Sequence, residues 1–209
     1  FSRVFGEVGT TDAALAVYFG AHQSIGCKGI TLFGTEDQKR RWLPPCASGE
    51  RIAAFCLTES GSGSDAQAMR TTAVPSADGT HYLLDGEKIW ISNAGYAGVL
   101  TVFAKVPIVV DGKPKERVTV FIVERDTPGV SLGKREEEMG IKASDTRSVI
   151  FDNVRVPKEN LVGKRGQLGV GESAHLGEDF LPRRRPAAQA QRAAHEGLKR
   201  PRRIEAVLV

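Results

Sequence analysis

The stretch FCLTESGSGSD, residues 55–65, decides whether this chain contains a dinucleotide-binding fold, because an apolar run leads directly into a turn rich in glycine and serine. Residues 61–66, GSGSDA, formally match the G-x-G-x-x-G/A fingerprint of dinucleotide-binding folds, and Asp85 lies twenty residues beyond Asp65. That fold needs a crossover helix of about a dozen residues between parallel strands. Only DAQAMR, residues 65–70, could be helical here before the extended TTAVPS. The stretch therefore disfavours a Rossmann unit and leaves a ligand-facing turn or a plain surface loop.

The chain from residue 52 to about residue 162 alternates with the period typical of β-strands. HYLLDGEKIWIS, residues 81–92, predicts a hairpin that turns at Asp85-Gly86, because Asp-Gly favours tight two-residue turns. VLTVFAK, RVTVFIVE and SVIFDNVRV add alternating β-branched runs with turn residues between them. Several short strands without long intervening helices predict an antiparallel sandwich or barrel.

The first fifty residues have a helical pattern, which is clearest in GTEDQKRRWLPP. Thr35 stands at an N-cap position and Gln38 at the matching capping-box position. Pro44 and Pro45 are expected to stop this helix. The apolar stretch upstream of it is broken by polar residues, so it predicts a buried helix pair instead of a membrane span.

Charge and cysteine content constrain the class of protein. The net charge of +4 comes from the C-terminal tail, because residues 164–209 contain 10 Lys and Arg but only 5 Asp and Glu. This Arg/Ala/Pro-rich tail is predicted to be disordered. Cys27, Cys46 and Cys56 are predicted to be free thiols, and no metal site is expected because the histidines show no ligand spacing.

Several ordered motifs carry a family resemblance. FCLTESGSGSD, then KIWISNAG, MGIKASDT and VRVPKENLVG, resemble the acyl-CoA dehydrogenase family. The run GAHQSIGCKGITLFGTEDQKRRWLPPCASGERIAAFCLTE, which begins upstream of these motifs, is similar to the family's mitochondrial very-long-chain branch. The resemblance covers about residues 10–163 and implies an α+β chain. Residues 1–51 would be the end of an N-terminal helical domain, and residues 52–163 an antiparallel β-barrel-like middle domain with flavin and acyl-CoA contacts, with the C-terminal helical domain absent.

The resemblance also implies site residues. The segment that matches Phe55–Ser64 would lie along the flavin of FAD, with Thr58 hydrogen-bonding to the ring and Ser64 also reaching toward the acyl-CoA substrate. The segment from Trp90 to Ser92 would pack beside the flavin ring. The implied cofactor-binding residues are Phe55, Cys56, Leu57, Thr58, Glu59, Ser60, Gly61, Ser62, Gly63, Ser64, Trp90, Ile91 and Ser92. Glu59 and Asp65 are interpreted as hydrogen-bonding or capping groups and not as an acid–base pair.

The resemblance implies that the parent enzyme performs FAD-dependent α,β-dehydrogenation of long-chain acyl-CoA in mitochondrial fatty acid β-oxidation. Its catalytic base would be a glutamate of the third domain, which nothing in this chain matches, so the chain alone is expected to be inactive and to hold no catalytic residue. An electron-transferring flavoprotein would reoxidise the flavin. The full-length parent would be a homo-oligomer in the mitochondrial matrix or at the inner membrane face, and peripheral membrane association is considered for that parent only.

Two alternatives to an enzyme remain at this stage. The β-domain could be a non-catalytic module that binds flavin or CoA, or that docks to a partner. Nucleic-acid binding through the Arg-rich tail depends on charge alone and lacks aromatic interleaving, so no nucleic-acid partner is expected.

Overall fold

The computed structural model describes residues 2–165. The predictions for the tail, residues 164–209, and for the third domain therefore fall outside the described residues, apart from Lys164 and Arg165. The described part begins with helices α1 Ser2–Thr11, α2 Ala13–Gly20, a π-helical segment Ala21–Gly26, α3 Lys28–Phe33 and α4 Glu36–Ala47. The strands that follow are β1 Ile52–Cys56, β2 Thr72–Pro75, β3 His81–Ser92, β4 Ala97–Val110, β5 Lys113–Glu124, β6 Val130–Arg135, β7 Thr146–Pro157 and β8 Leu161–Val162. Two short 3-10 turns, Ala66–Ala68 and Lys158–Asn160, complete these elements.

The eight strands form one open sheet in the order β6-β7-β3-β2-β4-β5-β8, with β1 also paired to β4. This confirms an α+β chain with helices first and a β-domain after them, although the sheet does not close into a barrel. Most pairings are antiparallel, but β1 and β2 both run parallel to β4. β1 pairs with residues 97–102 of β4, and β2 pairs with it at Lys105. The intervening residues 57–71 are thus a loop between two strands that line the same edge of β4.

The prediction of a hairpin turn at Asp85-Gly86 is wrong, because the single strand β3 continues through this dipeptide. The pairing of β3 with β7 shifts register there, and the Asp85 carboxylate accepts a hydrogen bond from the Asn153 amide at 2.7 Å. Gly86 has φ +146°, and a Cβ there would come within 2.8 Å of the Thr71 Cα. The dipeptide therefore forms a bulge that lets residue 71 pass close to the strand.

A second Asp-Gly pair does form the turn that the sequence rule describes. Asp111 and Gly112 have φ +52° and +71° and connect β4 to β5. Positive φ at both central residues is the signature of a type I′ turn. Gly112 has open space where a Cβ would stand, whereas Gly86 faces Thr71. Tertiary contact, and not the dipeptide, decides between turn and bulge.

Helix α4 begins as predicted and ends later than predicted. Thr35 and Gln38 form the capping box, with hydrogen bonds of 3.2 and 3.0 Å. Pro44 and Pro45 lie inside the helix, which continues to Ala47. A proline removes the amide donor to the preceding turn and its ring crowds the carbonyl there, but its own carbonyl can still accept. The Pro44 and Pro45 carbonyls accept hydrogen bonds from the Ser48 and Arg51 amides. The prolines therefore precede the helix end by less than one turn.

Two apolar clusters hold the described residues together. One covers a face of the sheet and includes Leu84, Leu100, Phe121 and Val149. The other, here called the helix–sheet cluster, joins the helices to the sheet and contains Cys27, Ile30, Trp42, Cys46, Ala53, Met69, Val99, Phe103, Val120, Ile122 and Val162. Within residues 2–165, no helix has the length and apolar character needed to cross a membrane.

Candidate functional site

The two segments that the sequence predicts as a site come together in the structure. The loop that follows β1 crosses β3, and the Ile89 amide donates to the Thr58 carbonyl at 2.9 Å. One residue earlier on β3, Lys88 Nζ donates to the Leu57 carbonyl at 3.2 Å. We call the group Leu57, Thr58, Glu59, Lys88, Ile89 and Trp90 the Trp90 edge. Segments that are about thirty residues apart in the chain are thus joined by backbone and side-chain hydrogen bonds.

A buried ion pair supports the Trp90 edge from inside the protein. Lys88 Nζ lies 2.6 Å from Glu59 Oε1, and both side chains are buried. The Glu59 carboxylate also accepts bonds from the Arg70 amide at 2.5 Å and from the Thr71 amide and hydroxyl at 3.0 and 2.5 Å. Four donors on one carboxylate satisfy its charge away from water. Glu59 is therefore a structural anchor, in agreement with its interpretation as a hydrogen-bonding group.

The pKa values of this pair reflect burial and hydrogen bonding. Burial alone raises the pKa of Glu59, but the bonds from Lys88, Thr71 and the Arg70 amide outweigh it, so the pKa lies below the usual value. Burial lowers the pKa of Lys88, and the bond to Glu59 opposes this only in part. A carboxyl with a lowered pKa and four donors is unsuited to removing a proton from a substrate.

Trp90 is held in an unusual conformation and faces outward. Its φ is +55°, in the left-handed region that residues other than glycine rarely adopt, and 64% of its surface is exposed. The pairing of β3 with β7 shifts register between Lys88 and Ile91, which places Trp90 on a bulge. Bulges redirect side chains and are frequent beside functional sites. Here the bulge presents an indole to solvent while its neighbour Ile91 stays buried.

The glycine-rich turn is short and open. Glu59 and Ser62 exchange backbone hydrogen bonds of 2.9 and 3.1 Å, which closes a tight turn over Ser60-Gly61. A Cβ at Gly61 or Gly63 would meet nothing, so the turn faces open space. Asp65 caps a 3-10 turn of only three residues, Ala66–Ala68, which is too short for the crossover helix of a Rossmann unit.

The predicted site residues divide according to where their side chains lie. Thr58, Leu57, Phe55 and Ser92 are half-buried, and Trp90, Ser60, Gly61, Gly63 and Ser64 are exposed. Cys56, Glu59, Ser62 and Ile91 are buried, backbone included, so these four residues offer a ligand little direct contact. The sequence interpretation missed Lys88 and Thr71. The alternation of β3 could have identified Lys88, because Tyr82, Leu84 and Lys88 share the inward positions.

The turn after β3 is fixed by a second set of buried polar groups. The Asn93 amide nitrogen donates to the Tyr18 carbonyl at 2.9 Å, which links the turn to helix α2. The Gly95 amide donates to Asp145 at 2.9 Å, and Asp145 is paired with Arg147 at 2.8 Å. The hydrogen bond from Arg147 is the largest influence that lowers the pKa of Asp145. This end of β3 is therefore bonded both to helix α2 and to the residue that precedes β7.

The arrangement fits a planar aromatic ligand. The exposed indole offers a stacking face, the half-buried Thr58 offers a hydroxyl, and the open glycine turn leaves the backbone accessible. No group of His, Cys, Asp and Glu side chains within residues 2–165 is arranged to hold a metal ion.

Comparisons with known families match almost all of the described residues. The model described as "Acyl-CoA dehydrogenase, N-terminal domain" matches residues 2–50, and that described as "Acyl-CoA dehydrogenase, middle domain" matches residues 54–154. Together the two matches cover more than half of the chain.

One curated relative, the mitochondrial very long-chain specific acyl-CoA dehydrogenase of Macaca fascicularis, is 55% identical over 79% of the chain. A crystal structure of an acyl-CoA dehydrogenase complexed with FAD, from Bacillus anthracis, is 49% identical over 75% of the chain with a TM-score of 0.69. The butyryl-CoA dehydrogenase of Megasphaera elsdenii is 37% identical over 84% of the chain with a TM-score of 0.74. The chain covers 26%, 26% and 45% of these three proteins, so it spans about a quarter of the first relative's length.

Proposed function

The chain belongs to the acyl-CoA dehydrogenase family, and on this basis we propose that its Trp90 edge is the flavin side of an FAD site. The parent protein would introduce an α,β double bond into a long-chain acyl-CoA. The single observation that supports this most is Trp90, an exposed residue with a positive φ, on a segment joined to the loop after β1 by the Lys88–Glu59 ion pair and the Ile89–Thr58 hydrogen bond. Backbone strain of this kind persists only where the surrounding structure enforces it, and it is concentrated at active sites and ligand-binding positions.

The residues of the chain would bind and orient the cofactor. Thr58 would donate its hydroxyl to the flavin ring, Trp90 and Ser92 would pack beside the ring, and the segment from Phe55 to Ser64 would lie along it. Bound FAD would supply the acceptor for a hydride from the β-carbon. Preorganised donors at this position would stabilise negative charge on the ring without having to reorient. Ser64 would also reach toward the CoA portion of the substrate.

The chain alone is proposed to lack the catalytic base. Removing the α-proton needs a carboxylate that faces the substrate with a free lone pair. The carboxylate of the Trp90 edge is Glu59, which is buried and already accepts four hydrogen bonds. We therefore assign the base to a glutamate of the parent's third domain, as the family resemblance implies.

Further properties of the parent are proposals by family membership. It would act in fatty acid β-oxidation in mitochondria, pass electrons to an electron-transferring flavoprotein and assemble as a homo-oligomer. The similarity to a mitochondrial very-long-chain relative supports the mitochondrial location. The similarity to a Bacillus protein supports a bacterial parent, which would act outside mitochondria. A module that binds flavin or CoA without turnover is the second candidate, and the occupied Glu59 carboxylate favours it for the isolated chain.

Anaerobic flavin reduction tests the proposal. The 209-residue chain with FAD, and a full-length homologue, would each receive palmitoyl-CoA while the visible flavin absorbance is followed. We expect immediate bleaching with the homologue and negligible bleaching with the chain. Rapid stoichiometric bleaching by the chain would show that a base lies within it, and would refute the assignment of the base to another domain.

A further inference from the structure

The chain contains three Asp-Gly dipeptides, all within the described residues: Asp78-Gly79, Asp85-Gly86 and Asp111-Gly112. The aspartate of each is exposed, so access to water does not distinguish the three. An Asp-Gly bond is intrinsically reactive, because the glycine amide nitrogen can attack the carboxyl carbon of the aspartate side chain and no Cβ hinders it. The bonds that hold each dipeptide therefore decide whether the folded chain permits this attack.

Hydrogen bonds hold both reacting groups of the first dipeptide. The Asp78 carboxylate accepts bonds from the Ser76 hydroxyl at 2.6 Å and from the Thr80 amide and hydroxyl at 3.0 and 2.9 Å. The Gly79 amide, which would be the nucleophile, donates to the Ser76 carbonyl at 3.0 Å. The bonds from Ser76 and Thr80 also hold the pKa of Asp78 below its usual value, so this carboxyl stays ionised and is a poor electrophile.

Pairing between strands holds the second dipeptide. Asp85 and Gly86 lie inside β3, and Gly86 pairs with Phe151 of β7. The Asp85 carboxylate accepts a hydrogen bond from the Asn153 amide at 2.7 Å, and Thr71 fills the space beside Gly86. The Gly86 amide can therefore reach the Asp85 side chain only after β3 separates from β7.

The third dipeptide has neither kind of restraint. Within the part of the chain that the structure describes, no hydrogen bond or ion pair holds the Asp111 carboxylate, and no hydrogen bond holds the Gly112 amide. A Cβ at Gly112 would meet no atom within 4 Å, so the space around the nucleophile is open. The turn between β4 and β5 thus leaves the electrophilic carbon and the attacking nitrogen free to approach each other.

The strands that carry this turn also lack neighbours near it. On one side β4 pairs with β2 only at Lys105, and on the other side β5 pairs with β8 only at Val120 and Phe121. The β4–β5 ribbon therefore continues past the sheet with two strands, and Val109 near its tip has 75% of its surface exposed. A two-stranded ribbon is marginally stable by itself, so its tip opens at a small cost in free energy.

We propose that Asp111-Gly112 is a site of spontaneous isoaspartate formation, and that the fold protects the other two Asp-Gly pairs. The Gly112 amide nitrogen forms a bond to Asp111 Cγ, and the amide proton leaves with the side-chain hydroxyl as one water. The product is a five-membered succinimide ring. Water then opens the ring at Cγ, which restores aspartate, or at the backbone carbonyl, which gives isoaspartate. One water is lost and one is gained, so the reaction needs no oxidant or cofactor.

Isoaspartate changes the turn and creates a new chemical group. The chain then runs through the side-chain carbons of residue 111, which adds one backbone atom to a two-residue turn and leaves a free α-carboxylate. The longer turn no longer fits type I′ geometry and should separate Val110 from its partner Lys113. The new carboxylate is the kind of group that an isoaspartyl methyltransferase esterifies with S-adenosylmethionine. The proposal is independent of FAD binding and can fail without affecting the proposed function.

Incubation of the full 209-residue chain in heavy-oxygen water tests the proposal. Each passage through the succinimide incorporates one heavy oxygen atom, whichever way the ring opens, and peptide mass spectrometry assigns that atom to one dipeptide. We expect Asp111 to be labelled at least about tenfold faster than Asp78 or Asp85, because each hydrogen bond that must first break lowers the opened population by up to about a factor of ten. The same incubation in denaturant is the control, in which all three should be labelled at similar rates.

Matched variants complete the experiment. Asp111→Glu cannot close a five-membered ring, so it should abolish the label in that peptide and also the methyl group that an isoaspartyl methyltransferase adds there after ageing. Asp78→Glu should leave both unchanged. Native labelling at Asp111 that is no faster than at Asp78 or Asp85 would overturn the proposal. Labelling of Asp111 in denaturant but not in the native chain would overturn it as well.

Discussion

The two tryptophans of the chain lie in opposite surroundings. Trp42 has 1% of its surface exposed and packs in the helix–sheet cluster, with the Arg41 guanidinium 4.5 Å from its ring centre. Trp90 has 64% of its surface exposed, lies on a bulge and has a positive φ. Glu124 holds Arg41 and Arg51 at 3.1 and 3.0 Å beside the first indole.

The difference separates a side chain that stabilises the fold from one that the fold holds in place. Burial of Trp42 is favourable in itself, because its apolar surface leaves water. The conformation of Trp90 brings no such gain, and positive φ at a bulky residue costs about 1–3 kcal/mol. The buried Lys88–Glu59 pair and the bond between Ile89 and Thr58 keep that conformation in place. A ligand that stacks on the indole would explain why this arrangement is retained.

Truncating each tryptophan gives the largest expected contrast. Trp42→Ala should lower the free energy of unfolding by about 3–5 kcal/mol, because it removes a large buried side chain. Trp90→Ala should change it by no more than about 0.5 kcal/mol, as for other exposed positions. Chemical denaturation followed by circular dichroism measures both. Equal losses of unfolding free energy in the two variants would mean that Trp90 stabilises the fold by packing, as Trp42 does.

Breaking the ion pair should cost less than removing Trp42 but far more than removing Trp90. Lys88→Met leaves the Glu59 carboxylate buried without its cation and should lower the free energy of unfolding by about 3 kcal/mol. The double variant Lys88→Met with Glu59→Gln should recover part of this loss, because no unpaired charge remains. Additive losses in this double-mutant cycle would show that the two residues act separately.

The pH dependence of stability should differ between the two regions. The pKa of Glu59 is lower in the folded chain than in the unfolded one, so the unfolded chain binds more protons as pH falls. Its stabilising effect is complete above the ordinary Glu pKa of about 4.3 and is lost as pH falls through the lower folded value. Glu59→Gln should therefore flatten the acid side of the stability curve, whereas Trp42→Phe should leave its shape unchanged. Denaturation midpoints measured between neutral and acidic pH provide the test. If stability falls with acid as steeply in Glu59→Gln as in the unsubstituted chain, Glu59 does not cause the loss of stability at low pH.

Local rules predicted the elements better than the contacts between them. The capping box of α4 and the strand alternation follow from neighbouring residues, and both are present. The two Asp-Gly pairs show the limit, because one forms a bulge against Thr71 and the other a hairpin turn. Nothing local distinguishes them, since Thr71 reaches Gly86 only after folding.

The candidate site shows the same limit. The segments from Phe55 to Ser64 and from Trp90 to Ser92 came from a family resemblance, and the structure joins them at Thr58 and Ile89. The partner of Glu59 was not predicted, because Lys88 lies 29 positions away and a lysine in a strand is usually exposed. The one signal in the sequence that could have identified Lys88 was its inward-facing position in the alternation of β3.

Mapping weak FAD binding on the amide resonances of the chain tests the central claim most directly. FAD would be titrated into the labelled 209-residue chain and into Trp90→Ala, with Trp42→Phe as the control that keeps the Trp90 edge intact. We expect the largest amide shifts between residues 55 and 64 and between 90 and 92, unchanged in Trp42→Phe and reduced in Trp90→Ala. Absence of shifts at millimolar FAD, or shifts centred on α4 and the Trp42 region, would contradict the claim that the exposed indole is the flavin side of the site.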